Sequence, residues 1–215
     1  MERSPFISAA TFREQHESLL CYFRPANHPV ARQWNRLDGP TRLARSEGRA
    51  KSMQFQVIDK AKWHYGAANA PKDIPLENGA THIAFFLRWC VEQDFMSEEM
   101  ITEFGDEFPG IKSGKTDCRQ FFMDTMDGVL TTEELNTEGG LFASAYYGSE
   151  ETKFAKLHGY YLSDYNDIIA AHFKESNHDN AYFYFEYSEA NYQVVKTVIK
   201  MRYQEFLTMR EEKAE

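Results

Sequence analysis

At 215 residues, with 42% hydrophobic and 15% aromatic side chains, the chain can bury one sizeable core and is expected to fold. Its uninterrupted apolar runs, such as Ile83 to Leu87, reach five residues at most, far short of the roughly 20 needed to span a bilayer. The start, MERSP, has no basic stretch followed by an apolar one, so a secretory signal is not expected and the cytoplasm is the expected compartment. The net charge of −9 is unevenly shared: residues 1–52 hold nine Lys/Arg and five Asp/Glu (+4), residues 53–215 fifteen and twenty-eight (−13). That balance disfavours nucleic-acid phosphates and membrane surfaces as partners and favours a basic protein.

Residues 1–52 contain one stretch that could form a short helix, TFREQHESLLCYFR, and then an Arg-, Pro- and Gly-rich piece that reads as linker. This segment is expected to be a basic N-terminal extension, partly helical or disordered. Its two readings, a divergent or wrongly assigned start and a basic docking arm, stay open. The helical domain is expected from Met53 to about residue 212.

PKDIP, residues 71–75, resists helix formation. A helix is predicted from about Asn78 to Gln93. It stacks Ile83, Phe86, Leu87, Cys90 and Val91 on one side, and Phe85 and Trp89 widen that surface, so it should be central, with only Arg88 and Glu92 turned to water. Ser97 should cap a second helix with its acids in the first turn, and a third should start near Thr116. TTEEL suggests a fourth, with Thr131 and Glu134 spaced as a capping box, interrupted at Gly139 and Gly140. LFASAYYG and YLSDYNDIIAAHF read as helical. AYFYFEY, residues 181–187, is the best strand candidate. A long last helix runs from Ser188 to about Arg210. The fold class is therefore mainly α: a single compact multi-helix domain with at most one or two short strands.

Cys21, Cys90 and Cys118 are too few and too far apart for a disulfide framework or a structural zinc site. MDTMDGVLTTEE resembles the second half of a calcium loop, but its first and third positions are Met123 and Thr125, which offer no carboxylate. Phosphate-binding glycine loops and nucleophile-elbow motifs are lacking, and we assign no cofactor and no metal. His64, Glu77 and His82 are the candidate catalytic residues: the Pro-rich turn could fold the two histidines together, and two histidines with a carboxylate can hold zinc or iron. The plainer reading makes His82 a satisfied histidine at the edge of a buried helix. His158, His172 and His178 have no partner spacing.

AKWHYGA, PKDIPLENGATHIAFFLRWCVEQ, KTDCRQFF, DGVLTTEELNTEGGLFASAYY, YLSDYNDII and NYQVVKTVIKMRYQEF, taken in order, resemble a bacterial family of domain-of-unknown-function proteins over roughly Met53 to Phe206. The family's marked positions fall on Trp63, His64, Glu77, Asn78, Thr81, His82, Leu87, Trp89, Glu138, Gly139, Phe142, Tyr146 and Tyr147. The resemblance implies a small, cytoplasmic, mostly helical protein and brings no reaction. Small acidic bacterial proteins of this kind often act as immunity proteins of toxin systems. The first expectation is thus an acidic binding protein, with immunity against a basic toxin domain as one form of it. The alternatives are a small metal-dependent or acid/base enzyme using His64, Glu77 and His82, and a general interaction module.

Overall fold

The computed structural model describes residues 55–67, 70–173 and 181–212. The basic extension, residues 1–52, and His178 lie outside the described residues. The described chain is mainly helical, with one two-stranded antiparallel sheet. The strand β1 (Val57–Lys60) leads into α1 (Ala61–Tyr65); a 3-10 turn (Leu76–Ala80) leads into α2 (Thr81–Glu92). Then come α3 (Glu98–Phe104), a 3-10 turn (Gly105–Glu107), α4 (Phe108–Lys112), α5 (Cys118–Thr125) and β2 (Val129–Thr131). The chain closes with α6 (Thr137–Tyr146), α7 (Lys153–His158), α8 (Tyr161–His172), α9 (Ala181–Tyr184) and α10 (Glu189–Glu211). Among these elements no helix is long and apolar enough to cross a membrane.

α2 is central, as its unbroken apolar surface predicts. Every residue from Thr81 to Val91 is buried, and the helix packs against α4, α5 and α10. Its rings enter an aromatic core: Phe86 lies 6.2 Å from Phe142 and 5.3 Å from Tyr161 between ring centroids, and Trp89 lies 5.4 Å from Phe142 and 5.5 Å from Tyr203. Such pairs add to the large apolar area each ring removes from water.

Arg88, expected in water, is buried instead at 4% exposure. Its guanidinium stacks 3.9 Å from the Tyr192 ring centroid, pairs with Glu189 at 2.8 Å and donates to the Lys112 carbonyl at 3.3 Å. A planar cation with several donors can engage a ring face, a carboxylate and a carbonyl at once, while its Nε makes no hydrogen bond among the described residues and lies 3.4 Å from Glu92 Oε1. A second ion pair clips α10 onto α8: Arg202 donates to Asp164 through Nε and Nη2, at 2.7 and 2.9 Å, and the Tyr146 hydroxyl donates to the same carboxylate at 2.8 Å.

Three local expectations change. Residues 181–187 do not form the strand; Ala181–Tyr184 is a short helix, α9, and the strands are the short β1 and β2. The Thr131–Glu134 pair forms, with the Thr131 amide donating to Glu134 Oε2 at 2.6 Å, but it closes a turn. The helix that follows starts at Thr137, where Asn136 accepts from the Gly139 amide at 2.9 Å as its cap. Gly139 and Gly140 lie inside this helix rather than interrupting it. Ser97 caps α3 as expected, and Ser188, at the expected start of the last helix, caps α10.

Gly139 is needed for close approach. A Cβ there would stand 2.8 Å from Phe95 Cβ and 2.9 Å from the Phe95 carbonyl oxygen. Gly139→Ala should therefore cost about 1–3 kcal/mol by overpacking, read as a lower urea midpoint with unchanged slope. An unchanged midpoint would mean that the Phe95 loop yields freely.

Candidate functional site

His64 and His82 do meet. Their ring centroids are 4.3 Å apart, and the group that joins them is Asp59. His64 Nε2 lies 2.8 Å from Asp59 Oδ1 and His82 Nε2 lies 3.0 Å from Asp59 Oδ2. The Lys60 amide donates to Oδ1 at 2.7 Å and the Tyr147 hydroxyl to Oδ2 at 2.6 Å. Tyr182 of α9 closes the ring of polar groups: its hydroxyl lies 3.1 Å from His64 Nδ1 and 2.9 Å from His82 Nε2, with a still closer contact to His82 Nδ1. Asp59, His64 and His82 are 3%, 3% and 0% exposed, while Tyr182 is half-buried at the side of the cluster.

The local fold explains how these residues converge. In the β1–β2 pair, Val57 faces Thr131 and Asp59 faces Leu130, so Ile58 is an extra residue. Such a bulge re-aims side chains, and here two consecutive residues, Ile58 and Asp59, are both buried. Five residues on, α1 turns His64 inward. The 3-10 turn can lie against α1 because Gly79 has no side chain; a Cβ there would sit 3.0 Å from the Tyr65 amide nitrogen and 3.4 Å from His64 Cβ. That close approach delivers His82, in the first turn of α2, to the same point. Asn78 anchors the other side by donating to the Phe183 carbonyl at 2.9 Å, and the Tyr161 hydroxyl donates to the His82 carbonyl at 2.7 Å.

Glu77, the carboxylate expected beside the histidines, is not the one that joins them. The group that could hold a metal among the described residues is Asp59, His64 and His82, whose ligand atoms all lie within 4.8 Å of one another. Glu77 is half-buried in the first turn of the 3-10 segment. Asp59 was hidden in the sequence because no strand is expected at residues 57–60 to place its side chain; the available signal was an acid five residues before His64, inside VIDKAKWH. Tyr182 was hidden inside the apparent strand pattern. His158 is half-buried and His172 exposed.

The electrostatics follow from burial and charge together. Burial alone pushes the Asp59 carboxyl up, but the charge and hydrogen bond of His64 and the hydrogen bond of His82 outweigh it and hold Asp59 well below the usual carboxylate range. Burial, and then the neighbouring His64, push His82 down to about 4, against the pull of Asp59. Burial and the Asp59 charge push Tyr147 up, so it stays a phenol able to donate. The proton count is informative. The Tyr182 hydroxyl carries one hydrogen yet sits within bonding distance of nitrogens on both rings, and Asp59, being ionised, donates none. One further positive centre, a proton or a metal ion, is needed to make every contact in the ring attractive.

The family model for "Domain of unknown function (DUF7832)" matches residues 57–182, more than half of the chain. The protein belongs to this family. The match begins at β1 and ends at Tyr182, so it includes every residue of the polar ring. No curated protein and no solved structure matches the chain.

The sign of the pH dependence follows from the two shifts. His82 falls from its ordinary 6.5 to about 4, so between those values the unfolded chain binds the extra proton and stability drops as pH falls from 6.5 towards 4, by at most about 3 kcal/mol. Asp59, depressed from 3.8, adds a further loss below pH 3.8. Urea unfolding at pH 7, 5.5 and 4.5 should show a falling midpoint, and His82→Gln should flatten the 6.5-to-4 segment; an equally steep variant would contradict the assignment.

Proposed function

We propose that this domain is an acidic binding protein that captures a basic protein, with neutralisation of a basic toxin domain, as by an immunity protein, as its specific form. One surface observation carries the proposal. Glu98, Glu99, Glu103, Asp106 and Glu107 are all exposed along α3 and the 3-10 turn after it, and no Lys or Arg occurs between residues 94 and 111. Glu133 is exposed too, whereas Glu134 is occupied with Thr131 and does not belong to that face. A face of one sign raises the rate at which an opposite one is captured, and rapid capture is what a toxin inhibitor requires. The burial of Asp59, His64 and His82 favours this reading over chemistry on an external substrate.

The enzyme reading has the His64–His82 convergence in its favour. It requires the cluster to open, and a variant such as His82→Gln would then abolish an activity at unchanged thermal stability.

The binding reading is tested with the full chain as bait, washed at low and high salt, followed by kinetics on the partner recovered. The triple variant Glu98→Gln, Glu99→Gln, Glu103→Gln should associate about tenfold more slowly at low salt and show a shallower salt dependence. Association kinetics identical to those of the parent chain would reject this face as the docking surface.

A further inference from the structure

We propose that Asp59, His64 and His82 form a binding site for a divalent first-row transition ion, zinc by ligand chemistry, with the Tyr182 hydroxyl as the fourth donor. The inference is independent of the partner-binding reading and stands on geometry. Two imidazole nitrogens and a carboxylate are the donor set that zinc and non-haem iron take up, and these three are delivered by three separate elements, β1, α1 and α2.

The spacing suits an ion. With metal–ligand bonds of about 2.0–2.1 Å, neighbouring donors of a tetrahedral site stand about 3.3 Å apart. His64 Nε2 is 2.8 Å from Asp59 Oδ1, His82 Nε2 is 3.0 Å from Asp59 Oδ2 and 2.9 Å from the Tyr182 hydroxyl, and the ligand atoms of Asp59, His64 and His82 all lie within 4.8 Å of one another. These close pairs would open by a few tenths of an ångström around an ion. An ion held by the two Nε2 atoms also leaves each ring's proton on Nδ1, where it can donate to the Tyr182 oxygen, so no two acceptors face each other.

The surroundings resemble a supporting shell. The Lys60 amide holds Asp59 Oδ1, the Tyr147 hydroxyl holds Oδ2, and Tyr161 fixes the backbone of His82. Groups of this kind orient ligands, and their loss commonly weakens metal binding ten- to a hundredfold. Because all three core ligands are buried, the ion would be enclosed and would tie α9, through Tyr182, to the β1–α1–α2 corner. Its role would be structural or regulatory rather than that of an open catalytic centre.

The probes are zinc and cobalt(II), added to the full chain after dialysis against a chelator. The expected result is about one equivalent bound, the intense visible bands of four-coordinate cobalt, and a rise in Tm of about 5–10 °C at a hundredfold excess over Kd. His82→Gln should weaken binding at least about a hundredfold and Tyr147→Phe, which would touch no metal, about tenfold, while His172→Gln, on the exposed end of α8, should change nothing. If His82→Gln fails to fold, Tyr182→Phe serves instead: loss of one oxygen should alter the cobalt spectrum while one equivalent still binds. Folded wild-type protein that retains neither ion, or that binds them equally well after His82→Gln, would overturn the site. An unaltered spectrum in Tyr182→Phe would remove Tyr182 as a ligand.

Discussion

An ionised carboxylate inside a protein costs several kcal/mol in lost hydration unless donors surround it, and Asp59 is such a carboxylate. Its donors arrive from four directions: the next backbone amide, His64 on α1, His82 on α2 and Tyr147 just past the end of α6. Removing any one leaves part of a buried charge unsatisfied, so the bulge in β1, the close approach at Gly79 and the inward turn of α1 are conditions that must hold together. Tyr182 extends the same network to α9. The corner formed by these elements is thus specified by polar contacts, which are directional, while the rest of the core is specified by shape.

That rest is aromatic. Phe86, Trp89, Phe142 and Tyr203 fill the space between α2, α6 and α10, and two buried or half-buried arginines clip α10 to its neighbours. The acidic face is attached to this frame at short range. α3 follows directly from the Phe95–Ser97 connection, which Gly139 seats and which Asn136 holds by donating to the Asp94 carbonyl at 2.9 Å. That connection fixes where α3 begins and so where the acids of its first turn, Glu98 and Glu99, are carried.

Where a residue's role depended on its own helix, the sequence made it legible. The burial of α2, the serine cap of α3 and the buried stripe Tyr192, Val195, Ile199 and Phe206 of α10 follow from periodicity and local hydrogen bonding. Roles that depended on a distant partner were hidden. Arg88 is buried because Tyr192 and Glu189 come from a helix about a hundred residues later, and Asp59 matters because two histidines reach it. The aromatic run at 181–187 satisfied a strand pattern, yet the backbone of Phe183 is engaged by Asn78 and the Tyr182 hydroxyl by the histidines, and a short helix serves both. For the site, the pairing of His64 with His82 was readable from the turn between them; the identity of the joining acid, Asp59 rather than Glu77, required the register of β1.

The claim that the Asp59 charge organises this corner is tested most directly by urea unfolding of Asp59→Asn beside the parent chain, at pH 7 and free of metal. An amide in that position can accept from only one side and turns a donor towards the other ring. The account predicts a loss of about 3–5 kcal/mol in unfolding free energy. A change within about 0.5 kcal/mol, the range of an ordinary surface substitution, would show that the corner holds without the charge and would contradict the account.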